Sequence, residues 1–92
     1  MNLDKDKIVS SPTQIQKVIA EQGKNLQTVA IFYNKSTDGP SWRETEPYEI
    51  RGNKYWGYDT KKDDHIRCFN LDEVKVACPM PNGFVPRWEV KF

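Results

Sequence analysis

The sequence predicts a mainly β domain with one helix ahead of the strands, and three observations carry that prediction. Runs at 26–33, 42–50, 55–59, 65–70 and 74–78 mix β-branched and aromatic residues with charged ones, as strands with one buried and one solvated face require. Turn-forming residues, Asp38-Gly39-Pro40 and Gly52-Asn53 among them, separate these runs. Only one stretch, behind Ser11-Pro12, has helical periodicity.

Length and composition set the scale. A chain of 92 residues is one domain with room for one modest core. With 37% hydrophobic and 29% charged residues it has a globular composition, and three Trp, four Tyr and four Phe suit a compact β-rich core. The net charge of +1 gives no long-range field for nucleic acid, so any such contact must come from a local patch. The charged N-terminus precedes no apolar run, and the longest apolar run, 29–33, is far short of a membrane span. A cytoplasmic protein without membrane contact is expected. Cys68 and Cys78 are then reduced and read as small buried hydrophobes.

Residues 1–10 alternate acid and base, end near Ile8-Val9 and form a loosely held tail that pins two apolar side chains. Ser11 as N-cap, Pro12 at the first helical position and Gln14 three residues after the cap start a helix within 11–25. Ile15, Val18, Ile19 and Gln22 share one face. That stripe is too narrow for a free helix, so it must dock on the sheet.

Residues 26–33 are nearly all apolar and form a strand buried on both faces. Pro47 interrupts the next strand, 42–50, which must bend, bulge or lie at an edge there. A tight turn at 51–54 leads into 55–59, where Gly57 marks a kink or a close backbone approach. A polar loop at 60–64 precedes the fourth strand, 65–70. Leu71-Asp72-Glu73 forms a 3₁₀ turn, and 74–78 completes the sheet. Pro79-Met80-Pro81-Asn82-Gly83 breaks the chain, and the alternation of Trp88, Val90 and Phe92 with Arg87, Glu89 and Lys91 predicts an added strand in the extension, 79–92. Phe69, Leu71, Ile31, Tyr33 and Val76 are the predicted core.

The order R-x-x-E-P-Y at 43–48, Y-W-G-Y-D at 55–59 and R-x-F-x-L-D-x-V at 67–74 resembles the WYL domain of bacterial regulators over about half the chain, 29–78. Where the family's naming triplet falls, this chain reads Asn53-Lys54-Tyr55, and Glu73 replaces a customary arginine. The resemblance implies an SH3-like (Sm-like) five-stranded barrel over 26–78, with the N-terminal helix and the extra C-terminal strand added. It also implies a ligand sensor with basic residues in a groove and nucleic acid or nucleotides as ligands. Those domains usually follow a helix-turn-helix, which needs two helices. Only one precedes the strands here, so either a free-standing sensor or adaptor or a small accessory protein using the fold for protein contacts is expected, which a phage or mobile-element origin would suit.

Enzyme chemistry is not expected. His65 is the only histidine, no nucleophile motif surrounds a serine, and His65, Cys68 and Cys78 are too few and too irregularly spaced for structural zinc. No phosphate-cradling glycine loop is present, so neither cofactor nor metal is implied. What remains is arginine and lysine interleaved with aromatics on neighbouring strands. Arg67, Arg43, Lys54, Tyr55 and Tyr58 are the candidate ligand-binding residues, since guanidinium groups grip phosphate and aromatic faces stack on bases. The alternative is structural: the aromatics are core, the arginines pair with Glu44, Glu46 and Asp72, and Arg67 bridges Asp59 or Asp72. Two functions therefore stand: a non-enzymatic module sensing a nucleotide or single-stranded nucleic acid, or a protein-interaction module acting through an exposed sheet edge or the Trp88 strand.

Overall fold

The computed structural model describes residues 1–35, 39–61 and 65–92. The 36–38 and 62–64 parts of the two expected loops lie outside the described residues. Helix α1 (Pro12–Lys24) is followed by β1 (Gln27–Tyr33), β2 (Ser41–Arg51), β3 (Lys54–Asp59), β4 (Arg67–Asn70), a 3₁₀ turn (Leu71–Glu73) and β5 (Val74–Gly83). All neighbouring strands are antiparallel, in the order β4-β3-β2-β1-β5. The sheet is open, since β4 and β5 at its two ends do not pair. It is nevertheless bent. The rings of Tyr33 on β1 and Phe69 on β4 lie 5.0 Å apart, and the Asn70 amide donates to the Tyr33 hydroxyl at 3.1 Å.

The helix forms where its caps place it. Ser11 Oγ accepts the Gln14 amide at 3.2 Å, and Pro12 has no amide to leave unpaired. Ile15 and Ile19 are buried against Val29, Ile31, Tyr55, Phe69 and Ala77, each contributing about 1.5–3 kcal/mol. Gln22 does something the apolar pattern does not reveal. Its Nε2 donates to the carbonyls of Thr28 at 2.8 Å and Met80 at 2.9 Å, clamping the helix to β1 and β5 at once. Leu26 then takes a left-handed backbone, φ 54°, so β1 begins one residue later than the apolar run.

Pro47 produces the expected irregularity: it pairs with Gly57, after which the register shifts so that Glu49 faces Trp56. Tyr48 has no register partner. Gly52, φ 57°, makes the two-residue turn to β3.

Four expectations are corrected. The strand β5 does not stop at Pro79 but runs to Gly83, because it is the outermost strand and an edge tolerates prolines. Residues 84–92 contain no strand. β1 pairs with β2 over Ser41–Thr45 and β3 pairs with it over Thr45–Arg51, and beside this second half the segment makes one main-chain bond rather than a ladder, the Lys91 amide donating to Tyr48 O at 2.7 Å. Cys68 is exposed, because Phe69 turns inward and its strand neighbour must turn outward. Val76 is half-buried on the sheet face opposite Ala77, and Tyr33 is likewise half-buried though packed on the core. On that second face Ala30, Cys78 and Met80 are covered by Leu3, Ile8 and Trp42, so the N-terminal segment is packed, and Val9 bridges Ala77. Burial pushes the Cys78 thiol above its usual range.

Candidate functional site

Opposed residues in an antiparallel ladder share a face, and successive residues alternate. Tyr55, Gly57 and Asp59 of β3, with partners Thr45, Pro47, Phe69 and Arg67, therefore lie on the helix side. Arg43, two residues from Thr45, joins them. Lys54, Trp56 and Tyr58, with partners Arg51, Glu49, Glu46, Cys68 and Asn70, lie on the outer side. The five predicted ligand-binding residues are thus divided: Arg67, Arg43 and Tyr55 on one face, Lys54 and Tyr58 on the other.

On the helix side two of the three are built into the core. Tyr55 is fully buried and its hydroxyl shares a 2.7 Å hydrogen bond with Thr45 Oγ1, which also bonds Val29 O at 3.0 Å. Burial pushes the Tyr55 phenol well above the tyrosine range. Arg43 is buried too, and its Nη1 meets Asp59 Oδ2 at 2.8 Å. Asp59 Oδ1 meanwhile accepts the Lys61 amide at 3.0 Å. Arg67 is half-buried opposite Gly57. The pairing of Arg43 with Glu44, Glu46 or Asp72 is replaced by Asp59. Glu44 instead accepts from Thr28 at 2.6 Å and Asn82 at 2.7 Å, and Asp72 accepts from Asn53 at 2.9 Å.

On the outer side β2 and β3 carry a row of cations and rings. The Arg51 guanidinium lies 5.6 Å from the centre of the Trp56 ring. It also donates twice to Glu49 Oε2, at 2.6 and 3.0 Å, and Lys91 Nζ lies 4.0 Å from Glu49 Oε1. Lys54 is exposed beside Arg51. Arg51 and Lys91 thus flank one carboxylate, and Lys54 adds a third cation opposite Arg51 in the ladder.

Next along β3, the Arg87 guanidinium sits 4.3 Å over the Tyr58 ring and its Nε bonds Glu46 Oε1 at 3.2 Å. The Tyr48 hydroxyl donates to the same oxygen at 2.7 Å. Burial, with Glu46 alongside, pushes the Tyr48 phenol up to about 12. Trp88 packs edge-on against Tyr48 at 5.3 Å and tilted on Tyr58 at 5.9 Å. Sequence reasoning named Glu46 as an arginine's partner and Trp88 as part of a docking strand but missed that Arg87 joins them, since the partners are separated by about forty positions and only the folded strap brings them together. Their sole sequence signal is Arg87-Trp88 itself, adjacent cation and ring after a proline.

His65 is exposed, and among the described residues no three His, Cys, Asp or Glu side chains could hold a metal. No helix among them is long and apolar enough to cross a membrane. No protein-family model matches the chain, and no curated protein matches it.

Proposed function

We propose that the chain is a non-enzymatic ligand-binding or regulatory module that takes a nucleotide or a single-stranded nucleic acid on the outer face of β2 and β3. The observation that carries this reading is Trp56 beside the Arg51 guanidinium at 5.6 Å, with Lys54 on the same face. A ring that presents a π-face and cations that neutralise phosphate are the two parts single-strand binding needs. The site keeps Lys54 and the neighbouring Tyr58 from the sequence reading and takes Arg51 and Trp56 in place of Arg43 and Tyr55. An SH3-like barrel of WYL type is part of the same proposal, supported by the leading helix, the strand order β4-β3-β2-β1-β5 and the 3₁₀ turn between β4 and β5.

Fluorescence anisotropy with labelled oligonucleotides and nucleotides tests it. Three phosphate contacts, from Arg51, Lys54 and Lys91, give a log–log salt slope of about −2 and a loss on the order of 20-fold between 50 and 200 mM salt. Trp56→Ala should cost about 1–3 kcal/mol of binding. Absence of binding at low salt, or binding indifferent to salt, refutes the reading. In that event the protein-interaction reading gains, for which the supporting observation is the outer edge of β4, a strand that among the described residues pairs with β3 alone.

A further inference from the structure

We infer that Glu46, Tyr48 and Tyr58 form a peptide-recognition groove for a partner segment carrying an arginine followed by an aromatic residue, and that the chain's own Arg87-Trp88 fills it as a displaceable stand-in. This groove is distinct from the Trp56 patch and does not depend on that reading.

The chemistry of the occupant is written in what the groove offers. Glu46 is 4% exposed, and its carboxylate is met by the neutral Tyr48 hydroxyl and by Arg87. A buried carboxylate facing one neutral donor is costly unless a cation completes it, so this position demands positive charge. The Tyr58 ring face, 4.3 Å from the Arg87 guanidinium carbon, favours a flat delocalised cation over a compact ammonium. Tyr48 adds a reading of the main chain, because its hydroxyl accepts the Arg87 amide at 3.1 Å. Beside it Tyr48 and Tyr58 together hold the Trp88 ring. One guanidinium, one amide and one ring are thus recognised in a two-residue unit.

The present occupant is lightly held. Residues 84–92 belong to no strand, the Arg87 side chain is 52% exposed, Trp88 is 38% exposed and Val85 is 86% exposed. The strap is fastened towards its ends, by the Phe84 amide on Leu26 O at 2.9 Å with the Phe84 ring 5.7 Å from Tyr48, by the Lys91 amide on Tyr48 O at 2.7 Å and by Phe92 against Gly23, and between these points it meets the groove through Arg87 and Trp88. Such a segment yields to a competitor that offers the same unit. Tethering places Arg87 at an effective concentration on the order of millimolar, so the groove is masked in the intact chain and opens when the strap is weakened.

The test uses full-length protein and a fluorescein-labelled peptide of sequence Phe-Val-Pro-Arg-Trp-Glu-Val-Lys-Phe. The variant Arg87→Ala/Trp88→Ala, checked for folding by circular dichroism, should bind the peptide saturably, and the wild-type chain about 10-fold or more weakly, because its own strap competes. Replacing the peptide's arginine by alanine, or adding Glu46→Gln to the protein, should abolish binding. If the double variant does not fold, Arg87→Lys takes its place and should bind the peptide more tightly than wild type, lysine having lost the planar fork. No binding to a folded strap variant, or equal binding of the peptide without arginine, overturns the proposal. So does a light-scattering mass showing dimers that exclude the peptide, since the groove would then serve a second copy.

Discussion

The Arg43 guanidinium and the Asp59 carboxylate meet at 2.8 Å with side chains only 8% and 3% exposed, joining β2 to β3 beneath the helix side of the sheet. Removing one side of a buried pair is costly, so Asp59→Ala should destabilise the fold by about 3–5 kcal/mol. Replacing both residues by apolar ones of similar volume, Arg43→Met with Asp59→Leu, should cost much less than either single alanine. Denaturant unfolding of the three variants decides it: an Asp59→Ala loss below about 1 kcal/mol means the pair is not closed off from water.

Phe69 is 3% exposed, edge-on to Tyr33 at 5.0 Å and stacked on Tyr55 at 5.6 Å. Its truncation removes the contact that bends β4 toward β1 and leaves a cavity. Phe69→Ala should lower stability by about 3–5 kcal/mol in chemical denaturation. A loss under about 1 kcal/mol would place the ring in solvent.

Gly57 has a reason to lack a side chain that is steric. A Cβ there would stand 2.6 Å from the Tyr55 hydroxyl oxygen and 2.7 Å from the ring carbon that bears it. Tyr55 cannot step aside, being fully buried and bonded to Thr45. Gly57→Ala is therefore expected to destabilise by about 1–3 kcal/mol, read as a lower denaturation midpoint.

Tyr48 supplies a pH dependence. Its folded pKa, about 12, lies above the unfolded value near 10, so the folded state holds a proton that the unfolded state has released. Its contribution is complete below pH 10 and is lost as pH rises through 12. The stability advantage of wild type over Tyr48→Phe should shrink across pH 10 to 12. An advantage that stays constant over that window would show the phenol to be solvated.

Part of the candidate site was legible before folding was considered. Tyr55 and Tyr58 are three residues apart on one strand, and odd spacing sends side chains to opposite faces, so they were never able to share a ligand. Strand parity alone separates Lys54 and Tyr58 from Tyr55. What parity does not say is which face is buried, since both sets contain aromatics; the docking of Ile15 and Ile19 onto the Tyr55 face decided that. Arg87 and Trp88 were legible as an alternating run and were read as a strand, because local propensity holds no information about whether a ladder edge is free to receive one.

Alone, the sequence determined the features governed by neighbours along the chain: the helix start at Ser11 and Pro12, the irregularity at Pro47, the turn at Gly52 and the 3₁₀ turn at Leu71–Glu73. Each follows from a local limit on backbone dihedrals or hydrogen bonding, acting over a few residues. Tertiary structure alone decided that Arg43 is a brace against Asp59, that Trp56 and Arg51 face outward together, that the Tyr48 carbonyl takes the Lys91 amide and that Glu46 lies beneath Arg87. These depend on strand register and on which edges are occupied, and register is fixed by burying one face of the whole sheet at once.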